Sequence, residues 1–227
     1  MKTRGFCTAA VLCLSLTLPP AAALANDSAA APEKEIPASE PAPVQSVEYT
    51  DVSRDSCCYD AVLWAAGRGI TSGTTPTTFS PGEPCTRGQL AVFLWRAAGS
   101  PVVNYAMAFS DVSDDSPYAE AIRWAASLGI AAGCGSGAFG ADDPITREQT
   151  AVILYRFAKA QGMDTTQGGM AVREYDDFDQ VSAFAGEAMG WAVESGILKG
   201  SGNRLMPRET CTRAQIVTLL FRLFQGK

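Results

Sequence analysis

Three arginines stand where helix stability gives them no reason to be. Arg87, Arg147 and Arg213 take the second place in Thr86-Arg87-Gly88-Gln89, Thr146-Arg147-Glu148-Gln149 and Thr212-Arg213-Ala214-Gln215, each followed by an apolar run. The Thr-x-x-Gln frame is a capping-box helix start, with Thr as N-cap and Gln as N3. The arginine then falls at N1, the positive end of the helix dipole, where a cation is disfavoured by roughly 0.3 to 1 kcal/mol. A guanidinium beside free first-turn N–H groups would offer an anion both a charged fork and the dipole, so a carboxylate or phosphate is the expected ligand. On that reading, alanine at Arg87 or Arg147 weakens ligand binding and leaves the melting temperature unchanged or slightly higher. The competing reading is a surface salt bridge to a neighbouring acid such as Glu83, Asp143 or Glu209.

Other chemistry is poorly represented. The chain has no histidine, which removes the commonest general base and transition-metal ligand together. Asp111-Val112-Ser113-Asp114-Asp115 resembles the start of a calcium loop but lacks the glycine and terminal glutamate, so no metal is expected. Adjacent acids such as Asp176 and Asp179 are a weak basis for a glycosidase, and no catalytic residue is assigned. The net charge of −6, without a basic stripe, argues against nucleic acid. Cys57, Cys58, Cys85, Cys134 and Cys211 follow no zinc spacing. They are either free thiols or include one disulfide, for which Cys85 and Cys211, each directly before a capping threonine, are the first pair to test.

The elements that position the arginines come in triplicate. Tyr49-Thr50-Asp51-Val52, Phe109-Ser110-Asp111-Val112 and Tyr175-Asp176-Asp177-Phe178 open three copies of one unit. Each continues through a tryptophan (Trp64, Trp124, Trp191), a Gly-Ile pair (Gly69-Ile70, Gly129-Ile130, Gly196-Ile197), a loop glycine (Gly73, Gly133, Gly200) and Phe79, Phe139 or Leu205 before the capping threonine. Fixed offsets of this kind mark a repeat protein. The stretches around the tryptophans have helical apolar spacing, with Ser56 and Ser116 as expected N-caps and Pro117 in the first helical position. The Gly-Ile pairs predict Schellman stops. Each unit reads as helix, loop, helix, and a two-helix hairpin of about 50 residues is too small to stand alone, so one all-α domain of three units is expected.

The first 25 residues run from Lys2 and Arg4 through an apolar stretch to Ala23-Leu24-Ala25, the order of a secretory signal cleaved after Ala25. Residues 26–47, rich in Ala, Pro, Glu and Ser, form a linker. A membrane contact is expected only if the signal is retained.

The repeats resemble S-layer homology (SLH) domains. The resemblance rests on the Asp-Val opening, Trp-Ala-x-x-x-Gly-Ile, the Gly73 to Pro81 loop and the Thr-Arg helix start, and divides the chain into repeats at 48–105, 106–166 and 173–227. It implies an all-α, pseudo-threefold spindle with a central three-helix bundle, exported to the cell wall or cell surface. It further implies non-catalytic anchoring to secondary cell-wall polysaccharide, commonly through pyruvylated N-acetylmannosamine, without a cofactor. In the implied grooves Arg87, Arg147 and Arg213 meet the acidic substituent, and Asp51, Asp111 and Asp177 face sugar hydroxyls. Trp64, Trp124 and Trp191 help wall the grooves, while Gly73, Gly133 and Gly200 admit the sugar to the backbone. The family motif usually ends in Glu, whereas all three copies here end in Gln. Copy three departs further, with Leu205-Met206-Pro207 in place of Phe-x-Pro and one residue early, so its groove is the one the resemblance supports least. The repeats nearly fill the chain, so association with other surface-layer proteins is expected in place of fused cargo. The alternative function is a cell-surface assembly module that binds protein and no glycan.

Overall fold

The computed structural model describes residues 48–225; the expected signal segment, the linker and the last two residues lie outside that range. Six α-helices carry the fold: α1 (Tyr59–Gly67), α2 (Arg87–Ala97), α3 (Ala119–Ser127), α4 (Arg147–Ala160), α5 (Gly186–Glu194) and α6 (Arg213–Gln225). The described residues form no strand longer than isolated bridges, so the all-α expectation holds.

Local signals act largely as read. In α2 the Gln89 amide donates to Thr86 Oγ1 and the Thr86 amide to Gln89 Oε1, both at 3.3 Å. The same reciprocal pair opens α4 and α6. Gly69 and Gly129, both at φ +66°, end α1 and α3, with the Ile70 and Ile130 amides donating to the carbonyls of Ala65 and Ala125. That is the Schellman stop. In copy three Gly196 keeps the left-handed turn, but Leu198 rather than Ile197 reaches back, to Ala192. The first helices start later than expected. Ser56 and Ser116 close a preceding turn, so α1 and α3 begin three residues on, with no side-chain cap at Cys58 or Tyr118.

The hairpin expectation needs correction. The extensive helix contacts are α1 with α6, α3 with α2, and α5 with α4, so each first helix packs on the second helix of another repeat. Connections within a repeat, residues 68–86 in the first, are far longer than the two to five residues that fold two helices back on each other. Trp64 accordingly lies 5.5 Å from Phe221 and 5.7 Å from Phe224, both on α6. Trp191 lies 5.5 Å from Tyr155 on α4.

A cycle of three backbone hydrogen bonds ties the repeats together. The Cys85 amide donates to the Cys211 carbonyl at 2.8 Å, Cys211 to Ile145 at 2.9 Å, and Ile145 to Cys85 at 3.0 Å. All three residues are fully buried. Cys85 and Cys211 are therefore neighbours, as their matching positions suggested, but both are free thiols. Burial pushes the Cys85 thiol up to about 12 and also raises Cys211, so neither supplies a thiolate near neutrality. Native iodoacetamide treatment at pH 8 is expected to modify Cys57 and Cys134, which are exposed, and to spare Cys58, Cys85 and Cys211 until denaturant is added. Peptide mass spectrometry reads this directly, and early modification of Cys85 would contradict the buried cycle.

Candidate functional site

The arginines point across repeat boundaries. Arg87 donates from Nε to the Phe139 carbonyl at 3.0 Å and from Nη2 to Ala132 at 2.8 Å. Arg147 does the same to Leu205 (2.7 Å) and Lys199 (2.9 Å), and Arg213 to Phe79 and Ser72, both at 3.0 Å. Each is buried, with 5 to 7% of its surface exposed. Their first-turn amides are not free either. Arg87, Arg147 and Arg213 donate their backbone N–H to the carbonyls of Asp143, Glu209 and Glu83, and the next amides bond Ala141, Pro207 and Pro81. The acids suspected as salt-bridge partners are thus the right neighbours, reached through main-chain atoms. Among the described residues none of the three arginines forms a salt bridge.

This accounts for a cation at N1. Carbonyl oxygens of the adjoining repeat surround it and satisfy the orphan amides that a ligand was expected to take.

The opening aspartates complete the same device from the other side of one peptide. Asp51 accepts from the amides of Phe79 (2.8 Å) and Ser80 (2.7 Å). Asp111 accepts from Phe139 and Gly140, and Asp177 from Leu205 and Met206. The peptide whose N–H meets the carboxylate, that of Ser80, Gly140 or Met206, is the one whose C=O, that of Phe79, Phe139 or Leu205, meets the neighbouring repeat's arginine. Carboxylate, peptide and guanidinium thus stand in line three times, each charge polarising the peptide in the sense the other needs.

All three aspartates titrate below the ordinary value of 3.8. At Asp51 and Asp177 burial would raise the pKa but is outweighed by the paired amides. At Asp111 the Phe139 amide is the main cause.

The glycines have a local reason as well. A Cβ on Gly73 would lie 2.3 Å from the carbonyl oxygens of Thr75 and Thr78, and one on Gly200 would lie 2.5 Å from the Tyr175 ring. On Gly133 it would lie 2.5 Å from the Ala138 carbonyl. The space is filled by the loop and its opening aromatic residue. Trp124 and Trp191 are core residues at 2% exposure, and Trp64 is half-buried.

Among the described residues two grooves beside these arginines nevertheless stand open, built to one plan. One, of about 390 Å³, is lined by Arg87, Gly133, Cys134, Gln149, Arg156 and Phe184, among others. The other, of about 350 Å³, has Arg147, Gly200, Ser201, Gln215, Arg222 and Cys57 at the corresponding places.

Arg156 and Arg222 escaped the sequence reading. Each lies nine residues after an N1 arginine, as does Arg96. At 100° per residue nine positions make two and a half turns and end on the opposite face, so α4 sends Arg147 into one groove and Arg156 into the other. Phe184, 64% exposed, also lines the Arg87 groove, and no repeat signature marks it, since Cys57 and Pro117 stand at its place in the other copies.

The third position is built differently. Phe93 stands where Ile153 and Leu219 stand in the open grooves, and its ring lies 5.8 Å from the Arg213 guanidinium, which also covers Phe79 at 4.8 Å. Tyr118 stands where Cys58 and Ala185 stand, and its ring takes the room a Cβ on Gly88 would need, at 2.8 Å. The hollow beside loop one, around Tyr49 and Ser72 to Pro76, does not include Arg213. Loop three, whose sequence departs most, keeps its groove; the position that differs is the one facing loop one.

Comparison with known proteins agrees with this picture. The S-layer homology domain profile matches residues 48–91, 108–151 and 174–217. An amylopullulanase of Thermoanaerobacterium thermosulfurigenes is 28% identical over 178 residues, covering 78% of this chain and 9% of that protein. The S-layer protein sap of Bacillus anthracis is 26% identical over 168 residues, covering 74% of the chain and 20% of that protein. The surface-layer 125 kDa protein of Lysinibacillus sphaericus is 30% identical over 114 residues, 48% of the chain and 10% of that protein. The chain spans a fifth or less of these relatives, so the similarity covers a module of each. With three matched repeats over more than half its length, the chain belongs to the S-layer homology domain family.

Proposed function

We propose that this protein attaches to the cell wall, without catalysis, by holding an acidic sugar of secondary cell-wall polymer, pyruvylated N-acetylmannosamine being the expected ligand, in the grooves between repeats. The observation that carries this is the pairing of two guanidinium groups in each open groove, Arg87 with Arg156 and Arg147 with Arg222, on a chain whose net charge is −6. A local positive furrow on an acidic molecule selects an anion against the average field. Among the described residues the buried arginines Arg87 and Arg147 keep one Nη each without a hydrogen bond, and Arg156 is exposed. The cyclic pairing of helices and the three-bond cycle at Cys85, Ile145 and Cys211 support a pseudo-threefold spindle, with α2, α4 and α6 as its inner helices.

Within this reading Arg87 and Arg147 contact the ligand while also holding the fold. Arg213, Asp51, Asp111, Asp177 and the loop glycines act by shaping the grooves, and the tryptophans by packing behind them. Carriage to the cell surface and association with other surface-layer proteins follow from the same reading. The relatives named as S-layer or surface-layer proteins support it.

The test is sedimentation with purified cell walls, intact and stripped of polymer. The wild type is expected to bind intact walls only. Arg156→Ala with Arg222→Ala is expected to reduce binding at least about tenfold, the loss of roughly 1.4 kcal/mol of charge-assisted contact, with Tm nearly unchanged. Equal binding to stripped walls would overturn the glycan reading and favour a protein partner.

A further inference from the structure

The two open grooves share a plan but not a chemistry. In the Arg87 groove the place corresponding to Lys199 is Ala132, and the mouth carries the exposed ring of Phe184. In the Arg147 groove the aromatic place is Cys57, and Lys199 adds a third cation to Arg147 and Arg222. None of the residues lining either groove is acidic. Three cationic residues and no acidic one therefore contribute to the walls of the Arg147 groove, which encloses about 350 Å³.

The charges there are partly spent and partly available. Arg147 gives Nε and Nη2 to carbonyls, and Arg222 gives Nη1 to Ile197 at 3.1 Å. Lys199 lends only its backbone carbonyl and is exposed. Among the described residues one Nη on each arginine and the Lys199 ammonium have no hydrogen-bond partner. Three cations suit a group that carries two negative charges and three acceptor oxygens, whereas two cations beside an aromatic face suit a ring that carries one carboxylate.

We propose that the protein reads its polymer at two unlike points: a pyranose bearing a single carboxylate rests on Phe184 in the Arg87 groove, and a phosphate monoester is held by Arg147, Lys199 and Arg222. This deepens the anchoring reading above and rests on it. It implies a polymer in which acidic sugar and phosphate both occur.

Each groove contains its own natural reporter. Cys134 lines the first and Cys57 the second, and both thiols are exposed. The experiment follows iodoacetamide modification of each thiol by peptide mass spectrometry in the full chain, with methyl phosphate or pyruvylated N-acetylmannosamine added. At ten times its Kd a ligand slows modification of the occupied groove by about tenfold. Methyl phosphate is expected to protect Cys57 and leave Cys134 at its free rate, and Lys199→Ala is expected to abolish that protection. The pyruvylated sugar is expected to protect Cys134, and Phe184→Ala to abolish it. Protection of both thiols alike by either probe, or of Cys134 by methyl phosphate, overturns the division while leaving the anchoring reading intact. Protection of neither thiol by the sugar overturns the anchoring reading itself. Methyl phosphate that spares Cys57 while the sugar protects Cys134 overturns the phosphate assignment alone.

Discussion

Alanine at Arg213 lowers the stability of the folded chain by about 3 to 5 kcal/mol, against a total of roughly 5 to 15 kcal/mol for an ordinary domain. The guanidinium is 5% exposed, bonds the carbonyls of Phe79 and Ser72, and lies over the Phe79 and Phe93 rings. Truncation leaves the Phe79 carbonyl without its donor, the Ser72 carbonyl with only the Thr71 hydroxyl at 3.2 Å, and two rings facing a void. Tm should fall by roughly 10 °C for a chain of this size. Lysine restores the charge but not the fork that spans two carbonyls, so Arg213→Lys is expected to recover less than half of the loss. Urea unfolding monitored by tryptophan fluorescence measures all three proteins. An Arg213→Ala variant as stable as the wild type would show that the guanidinium does not join repeats one and three. The same reasoning reverses the expectation from the helix dipole alone for Arg87 and Arg147. Their removal costs stability as well as ligand, so Arg156 and Arg222 are the better probes of binding.

What the chain's residues disclosed depended on distance along the sequence. Thr86 with Gln89, and Gly69 with Ile70, act within a turn or two of backbone, and their spacing alone determines their geometry. The helix alone does not explain the arginines, and local rules offer only an anionic ligand or a surface salt bridge to a nearby acid such as Glu83. Their partners lie 45 to 141 residues away. The opening aspartates bond amides 28 and 29 residues on, a distance no local rule spans. Repetition carries the rest of the lesson. A feature occurring once per copy marks either a ligand site or a joint between copies, and in a closed set of three the joint and the groove beside it are formed by the same side chains. The nine-residue interval from Arg147 to Arg156 was present in the sequence all along. It is informative only once α4 is known to line one groove with Arg147 and the other with Arg156.

Asp177 provides the second large effect, because its carboxylate is the most enclosed of the three. At 1% exposure it accepts from the amides of Leu205 (2.7 Å) and Met206 (2.8 Å), and Arg204 approaches only to 3.7 Å. Asp177→Ala leaves two amides without acceptors, one of them in the Leu205–Met206 peptide that Arg147 grips from its other side, and is expected to cost about 2 to 4 kcal/mol. Asparagine supplies one acceptor oxygen and turns an NH2 toward the second amide, so it should restore only part of the loss. The coupling to Arg147 is testable by a double-mutant cycle. If carboxylate, peptide and guanidinium act as one unit, the losses in Asp177→Ala and Arg147→Ala sum to more than the double variant loses, by about 1 kcal/mol or more. Strict additivity would mean that the two charges act on the Leu205 peptide independently. The same groups determine the response to acid. Folded-state pKa values depressed below the ordinary 3.8 at Asp51, Asp111 and Asp177 give stability that is complete above about pH 5. That stability is lost as pH falls through the depressed values, because protonation removes the acceptor charge. A urea midpoint that declines from pH 5 to pH 2.5 in the wild type should decline less in Asp177→Asn, whose side chain at that position does not titrate.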